Sequence, residues 1–141
     1  MKSRRALVMS TWLLTILAPA LVVIGEFFIG RLKLSPFAFS IVNEWGGHRL
    51  TRLIISALPF LILAIFTQVK MRKRPVEGIN PGLIGAAIVV TASWLFVWGA
   101  YFADFGSGGG ANIGVAALVF LSPVYIPILM MIGYSYGRLT R

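Results

Sequence analysis

Four long apolar runs constrain this chain more than any other feature. They cover roughly residues 6–29, 53–69, 82–103 and 113–134. Each reaches, or nearly reaches, the length an α-helix needs to cross a hydrocarbon core of about 30 Å. Their apolar residues come in blocks rather than alternating with polar ones, so no face is set aside for water. Only 12% of the chain is charged, about half the share of a soluble domain. The predicted fold is all-α: a polytopic membrane protein, one four-transmembrane-helix bundle spanning residues 1–141.

The basic block Lys70-Met71-Arg72-Lys73-Arg74 lies between the second and third runs. Cations of this density stay on the cytoplasmic side of a bilayer, which orients every other segment. On that side fall Lys2, Arg4, Arg5, the four cations of the block, Arg138 and Arg141; on the other, Arg31, Lys33, Arg49 and Arg52. The imbalance places both termini in the cytoplasm, with the chain multi-pass in the plasma (inner) membrane. It also accounts for the formal charge of +9 without nucleic acid, because no basic stripe interleaved with aromatics is present.

The first run has two readings. Its basic start and Ala18-Pro19-Ala20 suit a signal peptide covering residues 1–20. The apolar sequence continues past that point to Ile29, which favours an uncleaved helix kinked at Pro19. Residues 30–52 are the longest polar connection, and 35–45 within it are too apolar for a free loop and too short to span. Ser35 and Pro36 suit a helix start, Trp45 suits headgroup depth, and Gly46-Gly47 suit an end, which predicts a short interfacial helix in the first outer loop. Asn80 and Pro81 likewise suit the cap and first position of the third span. Trp98, Tyr101 and Phe102 near its far end read as an aromatic belt, and Asp104 to Asn112 as a glycine-rich turn.

Chemistry-bearing residues are few. With one histidine and no cysteine, neither a His-pair nor a Cys/His metal site can be built within one chain. No serine is positioned for a triad through His48, and the glycine-rich turn lacks the lysine of a phosphate loop. No enzymatic activity, catalytic residue, metal or cofactor is expected.

Three groups remain as candidates. The first is an outer-face polar cluster of Glu26, Glu44, His48, Arg49, Arg52 and Asp104, which either binds a charged ligand or anchors helix ends. Glu26 is the one acid inside an apolar run, a functional candidate by that fact. At 1.5 Å per residue it lies ~30 Å along its helix, near the outer interface, where pairing with Arg31 or Lys33 makes it an anchor. The second is a helix-break site at Ser122, Pro123, Tyr125 and Pro127, either a solute site or a plain kink. The prolines there remove the usual donors to the carbonyls of Val119 and Pro123. The third is a packing motif, Gly133 and Gly137, whose facing helix belongs to this chain or another.

No charge lies near the middle of any run, where a proton or ion pump usually has one. The pattern resembles a size class, the four-span bacterial inner-membrane proteins that include small transporters, immunity proteins and accessory subunits. It predicts a non-catalytic accessory, immunity or assembly component acting through helix packing. The alternative is a small solute transporter using the broken fourth helix and the outer-face polar residues. The expected partners are the lipid bilayer and another membrane protein or a second copy, with no nucleic acid.

Overall fold

The computed structural model describes residues 2–33, 46–73, 80–106 and 113–140. Four helices account for them: α1 (Lys2–Lys33), α2 (Gly46–Lys73), α3 (Pro81–Gly106) and α4 (Ile113–Leu139). Each contains a stretch long and apolar enough to cross a membrane: Arg4–Phe28, Arg52–Lys73, Pro81–Ala103 and Ala117–Leu139. No strand occurs among the described residues.

Helix ends depart from the ends of the apolar runs. Gly46 and Gly47 begin α2, well before the apolar run at 53. Likewise α3 continues through Asp104 to Gly106 rather than turning at Asp104. Hydropathy marks where lipid contact stops, whereas backbone hydrogen bonds carry a helix on into the polar layer. The interfacial helix expected over 35–45 lies outside the described residues, as do most of the glycine-rich turn and Arg74. The start of α3 does follow its local signal. Asn80 Oδ1 accepts from the N–H of Gly82 at 3.0 Å, the N-cap bond that the short polar side chain provides ahead of a first-turn proline.

Prolines do not interrupt the helices that hold them. Pro19 lies inside α1, Pro59 inside α2, and Pro123 and Pro127 inside an α4 that is one continuous helix, not a broken one. A proline removes a single donor, and a neighbouring hydroxyl can take its place. Ser122 Oγ donates to the carbonyl of Val119 at 2.6 Å, the acceptor that Pro123 leaves without its amide. Tyr125 donates to the carbonyl of Leu118 at 2.6 Å.

The helices form two antiparallel hairpins, α1 with α2 and α3 with α4, joined by contacts of α2 with α3 and α4 and of α1 with α3. The centre is filled: Phe60, Leu63, Val90, Val97, Trp98 and Ile126 are all buried. Trp94 is buried too, and its Nε1 donates to the carbonyl of Ser56 at 3.0 Å. Trp98 is therefore core, not part of an aromatic belt facing headgroups. Trp94, which shares a face with Trp98 four residues on, packs on α2 through Phe60, with ring centroids 5.7 Å apart.

Between α3 and α4 the backbones touch. A Cβ at Gly133 would stand 2.8 Å from the carbonyl oxygen of Gly85, and one at Gly137 would stand 2.5 Å from that of Pro81. Small residues on both sides are what allow so close a seam.

Candidate functional site

Each helix places an inward stripe at three- and four-residue spacing, and three of these stripes end in a polar side chain. On α1 the buried positions Thr11, Ala18 and Val22 lead to Glu26. On α2, Ile55 and Ser56 are preceded one turn earlier by Arg52. On α3, Val90, Trp94, Val97 and Trp98 lead to Tyr101. Because α1 and α3 run antiparallel to α2, the three ends converge at one end of the bundle.

Their geometry is a clamp on one carboxylate oxygen. Arg52 Nε lies 3.0 Å from Glu26 Oε1, with side-chain exposures of 13% and 5%. Tyr101 donates its hydroxyl proton to the same oxygen at 3.0 Å. The buried Nε–H of Arg52 is not aimed closely enough at the oxygen to count as a hydrogen bond, so that contact is ionic. An isolated carboxylate in so apolar a place is costly, and a cation with a hydroxyl donor offsets the cost. The Tyr101 ring is itself fixed, edge-to-face against Trp98 at 5.2 Å and against Phe102 at 5.4 Å. Phe102 in turn lies over Gly25, where an added Cβ would meet Phe102 Cζ at 2.5 Å. The clamp thus ties α1, α2 and α3 together.

Glu26 pairs with Arg52 of the neighbouring helix; the side chains of Arg31 and Lys33, the partners expected on its own helix, lie outside the described residues. Arg31 is five residues on, about 140° around the helix, and Lys33 is about 10 Å further along its axis. Arg52 meets the carboxylate directly across the α1–α2 interface. Glu26 is buried in the bundle, within one turn of the end of its apolar stretch.

Of the six outer-face candidates, Glu26 and Arg52 are brought together. His48 and Arg49 fall in the first turn of α2, and Asp104 in the last turn of α3, at the same end of the bundle. Their side chains, and Glu44 altogether, lie outside the described residues. Tyr101 was missed as a partner because its neighbours suggested a belt. The available signal was its four-residue spacing from Val97, together with the need of a buried tyrosine hydroxyl for a partner.

Ser122 is buried and Tyr125 half-buried in α4, with their hydroxyls directed to the helix's own carbonyls. Gly133 and Gly137 face Gly85 and Pro81 of the same chain. Among the described residues, no three His, Cys, Asp or Glu side chains are placed to hold a metal ion.

Comparison with family models, curated proteins and solved structures finds no match for this chain.

Proposed function

We propose that the chain is a non-catalytic component of the inner membrane, inserted as four spans with both termini in the cytoplasm, and that it acts as an accessory, immunity or assembly subunit through helix packing. The observation that carries this reading is the Glu26 clamp. The one acid inside an apolar run is held by side chains from two other helices, as a structural tie would be. The packed aromatic centre and the continuous α4 add support, since transporter sites usually use discontinuous helices around a midplane cavity.

The orientation draws on the opposite end of the bundle. Arg4 and Arg5 of α1, Lys70, Arg72 and Lys73 of α2, and Arg138 of α4 gather there, as positive-inside sorting requires. Lys70 Nζ sits over the ring of Phe66 at 5.5 Å and over that of Tyr134 at 5.2 Å, with its stem along apolar surface and its head at the bundle end.

The deciding experiment is purification of the tagged protein in mild detergent. A stable stoichiometric membrane partner, lost when exposed apolar residues of one helix face are replaced, is the expected result. Accumulation of a solute by the protein alone in liposomes would overturn the reading.

A further inference from the structure

A groove of about 450 Å³ opens between α1 and α2 at the basic end. Three of its lining residues are arginines: Arg4, Arg5 and Arg72. Val8, Met9 and Met71 give it apolar lining, with Gln68 beside them. Arg4 is fixed in place, since its Nη2 donates to the carbonyl of Met71 at 2.9 Å, one of the last carbonyls of α2. Arg5 and Arg72 are exposed at its edges.

The groove does not stop at its charges. Arg5, Met9, Leu13 and Ile16 follow one another at three- and four-residue spacing, which puts them on one face of α1. Met9, Leu13 and Ile16 are 71%, 62% and 71% exposed outside the bundle. A cationic mouth thus continues into an uncovered apolar track running toward the middle of the span. We propose that this groove is a binding site for an anionic glycerophospholipid of the cytoplasmic leaflet, with its phosphate between the exposed Arg5 and Arg72 and an acyl chain along Met9, Leu13 and Ile16. A soluble anion would use the arginines and gain nothing from the apolar track beside them. A zwitterionic lipid would use the track and leave Arg5 and Arg72 facing an ammonium group. Basic pockets between membrane helices on the cytoplasmic side recognise anionic headgroups by this chemistry.

The inference rests on the membrane reading proposed above, and the experiment separates the two. Carbonate washing of membranes comes first: protein released into the soluble fraction overturns both readings. Protein that stays with the membrane is purified at full length in mild detergent. It is then examined by native mass spectrometry with phosphatidylglycerol, phosphatidylethanolamine, water-soluble glycerophosphoglycerol or inorganic phosphate added. The expected result is retention of phosphatidylglycerol over phosphatidylethanolamine, with neither soluble anion displacing it. The double variant Arg5→Gln/Arg72→Gln, at exposed positions outside the core, should keep its helical circular dichroism and bind phosphatidylglycerol roughly ten-fold or more weakly, as loss of two interfacial cations implies. Lys73→Gln, outside the groove, should bind like the parent. Equal retention of the two lipids, or undiminished binding by the double variant, sinks the lipid site while leaving the membrane reading intact. Displacement by glycerophosphoglycerol or phosphate would reassign the groove to free anions and sink it equally.

Discussion

The guanidinium of Arg52 and the carboxylate of Glu26 meet at 3.0 Å across the α1–α2 interface, within one turn of the ends of their apolar stretches. Both side chains are largely shielded, so removing one partner strips the other of a short ionic contact in a poorly solvated place. Glu26→Gln and Arg52→Gln are each expected to destabilise the bundle by about 3–5 kcal/mol, the usual cost of breaking a buried pair from one side. The double variant Glu26→Gln/Arg52→Gln should cost clearly less than the sum. Unfolding of the detergent-solubilised protein by sodium dodecyl sulfate measures all three. Additive losses would mean that the two groups do not interact energetically.

Tyr101 supplies the second contact to the same oxygen. Tyr101→Phe keeps the ring and its edge contacts with Trp98 and Phe102 but removes a hydrogen bond to a charged acceptor. A loss of about 1.5–3 kcal/mol follows. In a Glu26→Gln background the same substitution should cost less, because the acceptor is then neutral. The same denaturation series reads this, and an equal cost in both backgrounds would remove the charged-acceptor account.

How much of this was readable beforehand depends on which physical signal each feature leaves in the sequence. The four helices were legible because long apolar blocks have few other uses. The Asn80-Pro81 start was legible because a cap is a local, two-residue device. The start of α2 and the end of α3 were not, since helix can continue where hydropathy falls, as at Gly46 and Asp104. The Glu26–Arg52 pair joins residues 26 positions apart on different helices. Nothing local points to Arg52; only the rotation of α1 against α2 brings it to Glu26. That rotation was present in the pattern, since Glu26 continues the four-residue spacing of Ala18 and Val22, but apolar residues all round α1 hid which stripe faces inward. Gly133 and Gly137 announced a close approach, whereas their counterpart Gly85 lies in an unremarkable apolar stretch.

The α3–α4 seam makes opposite demands on two glycines of α3. A Cβ at Gly85 would run into the carbonyl of Gly133, while one at Gly99 would meet nothing within 4 Å. Gly85→Val should force the helices apart and cost about 1–3 kcal/mol or more. Gly99→Ala should lie within about 0.5 kcal/mol of the parent. Thermal denaturation in detergent with a fluorescent reporter of the buried tryptophans distinguishes them. Equal tolerance at both positions would mean that the seam is looser than its geometry implies.

Orientation is open to direct labelling, because the chain has no cysteine of its own. Single cysteines at Ser3, at Ser107 and after Arg141 should react asymmetrically with an impermeant maleimide on intact cells. Position 107 should label from outside, and the two terminal positions only after lysis. Labelling of either terminus on intact cells would invert or break the proposed topology.

The sharpest test of the helix chemistry lies at Ser122 and Pro123. Pro123 has no amide hydrogen, so the carbonyl of Val119 loses the donor it would have in an ordinary helix. Ser122 Oγ takes that role at 2.6 Å in a buried setting. Ser122→Ala should therefore leave a buried acceptor unpaired, at a cost of about 1–3 kcal/mol. Pro123→Ala restores an amide donor at the position from which the Val119 carbonyl is normally served. With that donor present the serine hydroxyl is redundant, and Ser122→Ala in the Pro123→Ala background should cost much less than in the parent. The coupling expected between the two sites is about 1 kcal/mol or more, within the range for residues sharing one partner. Denaturation of the four proteins in the double-mutant cycle gives it directly. If Ser122→Ala costs the same with and without the proline, the hydroxyl is not compensating for the missing amide, and its place in α4 is a matter of volume alone.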